Sequence, residues 1–218
     1  MRSHFDRRVV PEAALALVRA CQARVPCHLA GGAALSGAYL AHRLSDDLDL
    51  FCHDATEHRT LVAELPAAAA EAGATVRIVR GSPSHVRASA SFGDRTFELD
   101  LVHESLPDLE APPPPIDDVV VESLADLRGA KLTCLLSRSE PRDLVDLLFL
   151  ERAGFPPEAD LALALRKDAG IDPGVLAWLL ATFPVEPLPR MLLPLGAEEL
   201  RRYRDALRER MRAVALPG

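Results

Sequence analysis

Residues 29–51 constrain the fold more than any other stretch: Leu-Ala-Gly-Gly-Ala-Ala-Leu-Ser-Gly-Ala-Tyr-Leu-Ala-His-Arg-Leu-Ser-Asp-Asp-Leu-Asp-Leu-Phe. A short apolar run meets a glycine pair, a helix-compatible segment follows, and an Asp-Leu-Asp-Leu strand pattern closes the stretch. Side chains on a strand alternate faces, so Asp47 and Asp49 point the same way, roughly 6–7 Å apart, while Leu48 and Leu50 point into a core. Two carboxylates on one face repel each other unless a cation lies between them. Hard oxygen ligands of this kind suit Mg2+ or Mn2+, and Mg2+ in particular binds substrate phosphates as well. Gly31-Gly32 allows the backbone to approach a ligand closely at positive φ. The helix that follows turns its N–H groups and positive dipole end toward the same place, a natural phosphate seat. Ser45 and Arg43, just before the strand, are candidate phosphate donors. Asp46 has the opposite parity and is expected in solvent.

The remaining composition narrows the setting. With 218 residues and 49% hydrophobic content, the chain can bury one generous core or two small ones. No apolar run reaches the ~20 residues that span a bilayer. The charged start, Met-Arg-Ser-His-Phe-Asp-Arg-Arg, lacks a signal-peptide core, so a cytoplasmic location and no membrane contact are expected. Net charge is −7, which argues against broad nonspecific DNA binding but leaves room for a local basic patch. Cys21, Cys27, Cys52 and Cys134 lack zinc-site spacing and read as free thiols. The seven histidines show no ligand spacing either and read as structural or surface groups. Lysine occurs only at Lys131 and Lys167, which draws attention to both.

Taken in order, the periodicity predicts helices over 11–25, 32–42 and 56–70 and strands over 28–30, 48–52, 75–80, 85–92 and 95–102. Gly93-Asp94 joins the last two strands as a two-residue hairpin turn. In residues 95–102, Phe97, Leu99 and Leu101 form one face and Glu98 and Asp100 the other. If that polar face joins Asp47 and Asp49, Asp100 is the favoured third metal carboxylate, with Glu98 as competitor. Pro112–Pro115 reads as a stiff linker. The division expected is therefore a core over 1–115 and a mainly helical part over 116–218. The latter has helices over 123–137, 139–153, 158–168, 172–182 and 197–214 and a short strand over 118–121. The last helix sets Arg201, Arg204, Arg208 and Arg212 beside an apolar face. That pattern reads first as a solvated outer face and second as a track for RNA phosphates.

The Gly-Gly, helix, Asp-x-Asp order resembles the nucleotidyltransferase superfamily related to DNA polymerase β. Gly-Gly-Ala-Ala-Leu and His-Arg-Leu-Ser-Asp-Asp-Leu-Asp-Leu-Phe resemble, more narrowly, the AbiEii/AbiGii-type nucleotidyltransferase toxins. Ala33 stands where that family often has a hydroxyl. A second likeness lies downstream, where Lys131 is followed by Arg142-Asp143-Leu-Val-Asp146-Leu. The resemblance implies a mixed α/β sheet with flanking helices and a helical C-terminal part. It implies transfer of NMP from an NTP to an acceptor hydroxyl, with tRNA the expected acceptor and an antitoxin the expected partner. It gives Lys131 and Asp146 nucleotide roles, with Arg138 and Asp143 as weaker candidates, and makes Asp47, Asp49 and Asp100 ligands of two Mg2+ (or Mn2+) ions. Two other readings share the motif: a small-molecule nucleotidyltransferase similar to aminoglycoside-modifying enzymes, and a catalytically silent nucleotide-binding regulator.

Overall fold

The computed structural model describes residues 2–93 and 95–216, so Asp94 of the expected hairpin turn lies outside the described residues. The chain divides into two compact units, Met1–Ser123 and Leu124–Gly218. The first is built on a five-stranded mixed sheet of order β1-β2-β5-β4-β3. Its strands are β1 (His28–Ala30), β2 (Asp47–Cys52), β3 (Thr75–Gly81), β4 (His85–Phe92) and β5 (Arg95–His103). β2 and β5 run parallel; the other neighbours run antiparallel. Helices α1 (Glu12–Gln22) and α3 (Ala55–Glu71) accompany the sheet. α3 starts where Asp54 accepts from the backbone N–H of Thr56 (2.6 Å) and Glu57 (3.0 Å), an N-cap that satisfies otherwise orphaned donors. It lays His58, Leu61, Leu65, Ala68 and Ala69 inward at helical spacing and packs on β2, β3 and β5.

Pairing across the ladders sorts the sheet into two faces. Leu29, Leu50, Leu101 and Val86 form one buried row, and Leu48, Leu99 and Ala88 another. The opposite face carries the row Ala30–Asp49–Asp100–Arg87, flanked on one side by Asp47–Glu98–Ser89 and on the other by His28–Phe51–Val102–His85. At the far edge, β3 leaves Ile78 and Val79 half exposed.

The helix expected over 32–42 is shorter and changes pitch. α2 (Gly31–Ala34) continues into a π-helical turn, Leu35–Leu40, and ends at Ala41 in the left-handed region with φ 52°. The segment expected as a strand over 118–121 makes isolated bridges, Val121 with Leu29 and Ile116 with Val119. Leu29 donates to Val120 O (3.0 Å), Glu122 N donates to Leu29 O (2.9 Å), and the Gln22 amide brackets Val120. These bonds tie the stretch after the prolines to β1, so the division falls after Ser123 and not after Pro115.

The second unit is helical: α4 (Leu124–Ser137), α5 (Pro141–Arg152), a 3-10 turn at Pro157–Asp160, α6 (Leu161–Lys167), α7 (Pro173–Leu180) and α8 (Ala197–Ala215). Asp172 caps α7 by accepting from Val175 N (2.9 Å), and Pro173 fills the first turn, where no donor is needed. α8 buries Leu200, Tyr203, Leu207 and Met211 on one stripe and packs on α7 and α5. On its outer side Arg201, Arg204 and Arg212 pair with Glu198, Asp205 and Glu209, the pattern of a solvated charged face.

Candidate active site

Gly31 opens α2 with φ 63°, the left-handed region that glycine enters without steric cost. A Cβ at this position would lie 1.9 Å from Asp49 Oδ2, so the Asp49 carboxylate occupies the space that any other residue would fill. At Gly32 a Cβ would lie 2.6 Å from an Arg43 guanidinium nitrogen and 3.2 Å from Ser45 Oγ. The glycine pair is therefore a floor on which Asp49, Arg43 and Ser45 rest. Arg43 is almost fully buried, and its guanidinium donates to Leu44 O (2.9 Å). Ser36 Oγ donates to Arg43 O (2.6 Å) and accepts from Arg43 N (3.2 Å), which holds the chain between the π-helical turn and β2. Ser45 Oγ donates to Asp47 O (3.3 Å). Gly31, Gly32, Arg43, Ser45 and Asp49, all singled out from sequence, thus gather in one place. Asp46 is exposed, as its parity requires.

Asp49 faces Asp100 directly across the parallel ladder, and Asp47 faces Glu98. Neighbouring strands lie about 4.8 Å apart. Asp100 is the buried member of its strand's acidic pair, whereas Glu98 is largely exposed and pairs with Arg87 at 3.0 Å. Asp100 accepts two bonds from Arg87, at 2.8 Å on Oδ1 and 2.7 Å on Oδ2, and pairs with His85 Nε2 at 2.6 Å. Burial opposes its ionisation, but the hydrogen bonds and charges of Arg87 and His85 outweigh burial and hold its carboxyl below the usual carboxylate range. Asp100 in turn raises the pKa of Arg87. His85 and Arg87 had not been singled out from the sequence. The signal was present: a two-residue turn at 93–94 fixes the register of β4 on β5 and sets Arg87 opposite Asp100.

The donor set suits a hard divalent cation. Asp47 and Asp49 offer carboxylate oxygens from one half-exposed face, and the lack of a side chain at Gly31 lets the Asp49 carboxylate lie against the turn.

A profile for the nucleotidyl transferase AbiEii toxin of type IV toxin–antitoxin systems matches residues 15–217. The chain belongs to the AbiEii nucleotidyltransferase toxin family. No curated protein sequence matches it. Among solved structures it is similar to a candidate nucleotidyltransferase from H. pylori, at TM-score 0.61 and 22% identity over 94% of this chain and 93% of that one. It is also similar to JHP933 from Helicobacter pylori, at TM-score 0.59 and 21% identity over 95% and 94%. A third, MenT4, a nucleotidyltransferase toxin from Mycobacterium tuberculosis H37Rv, matches at TM-score 0.51 and 17% identity over 92% and 85%. The mixed α/β class expected from sequence is the class observed. As an AbiEii-family nucleotidyltransferase the chain uses an NTP, and a type IV toxin implies a cognate antitoxin.

The second AbiEii-like stretch lies in the helical unit, and its side chains are deeply buried. Lys131 is 3% exposed, and Asp143 and Asp146 are fully buried. Lys131 Nζ lies 2.7 Å from Asp146 and 3.5 Å from Asp143. Arg138 grips Asp143 with two bonds of 2.8 Å, and Asp143 raises the Arg138 pKa. Arg142 pairs with Glu140. Lys167, the other lysine, reaches the fully buried Asp126 at 2.6 Å.

Proposed function

We propose that this AbiEii-family chain moves an NMP group from an NTP onto an acceptor hydroxyl of tRNA, in the bacterial cytoplasm, with Mg2+ or Mn2+. The observation that carries the reading is Gly31: its backbone sits so close to Asp49 that phosphate-binding N–H groups and a metal-ligating carboxylate face one spot. Asp47, Asp49 and Asp100 would hold the divalent cations. When bound, these would neutralise charge on the phosphates and lower the pKa of the attacking hydroxyl.

The chain's own residues do the rest. Backbone N–H groups of the Gly31-Gly32 turn donate to phosphate oxygens, helped by the positive end of the helix they open. The Arg43 guanidinium and the Ser45 hydroxyl, seated on Gly32, offer further donors to the same oxygens. Asp100 takes the proton of the acceptor hydroxyl. Of roughly four lone-pair sites on a carboxylate, His85 and Arg87 occupy three. Pyrophosphate leaves as the acceptor oxygen attacks in line, so catalysis is mainly positioning and charge compensation. Lys131 and Asp146 are assigned to the nucleotide on the family likeness.

The Arg87 grip on Asp100 favours one second reading, a nucleotide-binding regulator without transfer activity. The deciding experiment incubates purified protein with Mg2+, each labelled NTP and total tRNA, beside an Asp49→Ala control. Label on tRNA that requires Asp49 supports transfer and names the base. Metal-dependent NTP binding with no label on any RNA supports the regulator.

A further inference from the structure

The histidines, read from sequence as structural or surface groups, contain a cluster that sequence spacing does not reveal. His28 of β1, His53 just beyond β2, and Asp108 in the stretch after β5 each offer one ligand atom, and these atoms lie within 4.8 Å of one another. We propose that His28, His53 and Asp108 form a second metal site, distinct from the carboxylate site at Asp47 and Asp49, that takes one Zn2+-type cation.

Three features of the geometry support a built site. The backbone delivers Asp108: Glu104 N donates to Cys52 O (2.9 Å), and Leu106 N donates to the Glu104 carboxylate (3.0 Å), which wraps residues 104–108 over the end of β2. His53 is oriented from behind. Its Nδ1 lies 3.1 Å from Glu104 O, an atom that can only accept, so Nδ1 carries a proton and the basic lone pair belongs to Nε2. A backbone carbonyl on the far nitrogen is the usual outer partner of a metal-bound histidine. Finally, His53 Nε2 faces Asp108 Oδ1 at 2.9 Å. With Nδ1 already protonated, two acceptors face each other there unless a second proton or a cation lies between them.

The ligand type distinguishes this place from the aspartate row. Two imidazoles and one carboxylate suit a borderline cation such as Zn2+, whereas the aspartates offer oxygen alone. The two places are also separate in space. His28 pairs with Phe51, one row beyond Asp49, and His53 follows two residues later on the same strand line. At about 3.3 Å per residue, His53 lies on the order of 13 Å along the chain from Asp49. An open pocket of about 270 Å3, lined among others by Cys27, Phe51 and Glu57, adjoins the trio and gives an ion access and room for a fourth ligand.

The test uses full-length protein stripped of metal and titrated with Co2+, whose visible absorption reports tetrahedral nitrogen–oxygen coordination, followed by displacement with Zn2+. An Asp47→Asn/Asp49→Asn protein isolates the new site from the proposed catalytic one. The expected result is one equivalent of Co2+ in the double-aspartate variant, displaced by Zn2+, with the same tetrahedral spectrum in wild type beside any uptake at the aspartates. His53→Gln and Asp108→Asn should each weaken uptake by about 100-fold or more. Both side chains are partly exposed, and unchanged circular dichroism establishes that these variants fold. A Zn2+-dependent rise in Tm, present in wild type and lost in both variants, is the independent readout. Loss of the Co2+ spectrum in the double-aspartate variant, its persistence in His53→Gln, or thiolate charge-transfer bands would each overturn the assignment.

Discussion

Carboxylates and cations meet in two different ways in this chain. On the sheet, Asp47 and Asp49 stand half exposed on a face floored by glycines, and Asp100 beside them is held by Arg87 and His85. In the helical unit, Lys131 with Asp146 and Asp143, and Lys167 with Asp126, are shut away from solvent. The same residue types carry opposite expectations. Charges at an open face are available to a ligand. Charges sealed in a helical core must first satisfy one another, because an unpaired buried ion is far costlier than a paired one. Family likeness points to both places, but only the first has the openness that binding requires on its own.

The sharpest way to break that contrast is to remove one member from each region. Asp49→Asn should abolish nucleotide transfer, by on the order of 10^4-fold, equivalent to about 5 kcal/mol of barrier, with little change in Tm. Parallel loss of Tm would place Asp49 with the structural charges. Lys131→Ala should cost about 3–5 kcal/mol in urea unfolding, because it strands buried carboxylates. A Lys131→Met/Asp146→Leu pair should recover much of that stability. If the recovered protein still transfers nucleotide at the wild-type rate, the pair is structural alone; if it does not, the pair serves the nucleotide as well.

Smaller effects sharpen the comparison further. Gly31→Ala forces a left-handed backbone on a Cβ and displaces Asp49, so stability should fall by about 1–3 kcal/mol while transfer is lost. Acid provides the mildest probe. Asp6, Asp54, Asp100 and Asp117, all in the sheet-bearing unit, have lowered pKa values in the folded state. Their contribution is complete above the unfolded carboxylate pKa, about 4, and is lost as pH falls through the lower folded values. Hydrogen exchange below pH 4 should therefore report opening of this unit as pH falls, and Arg87→Met should weaken the Asp100 part of that dependence.

Much of this was legible in the chain itself because the signals were local. Strand alternation gave the shared face of Asp47 and Asp49, and β1 and β4 occupy the predicted residues. Signals that depend on distant partners were not legible. Nothing near Lys131 in sequence announces its burial, since that depends on how α4 and α5 pack. The π-helical turn at Leu35–Leu40 differs from an α-helix only in hydrogen-bond register, which side-chain spacing over so short a run does not resolve. Residues 116–122 read as the start of the helical part because a proline run precedes them, yet they bond to Leu29 and Gln22. His28, His53 and Asp108 come from three separate segments, so no spacing rule finds them.

The two-residue connection at 93–94 acts as a length gauge. β5 is anchored on its other side by β2, so Asp100 keeps its place whatever happens to the turn. Arg87 does not. One added residue would invert every side chain of β4, sending Val86 and Ala88 to the wrong side of the sheet. Two added residues would restore the faces but slide Arg87 one step past its partner. Hairpin length is therefore a coarse adjustment by which related chains would gain or lose the Arg87 clamp without altering a single residue of the aspartate row.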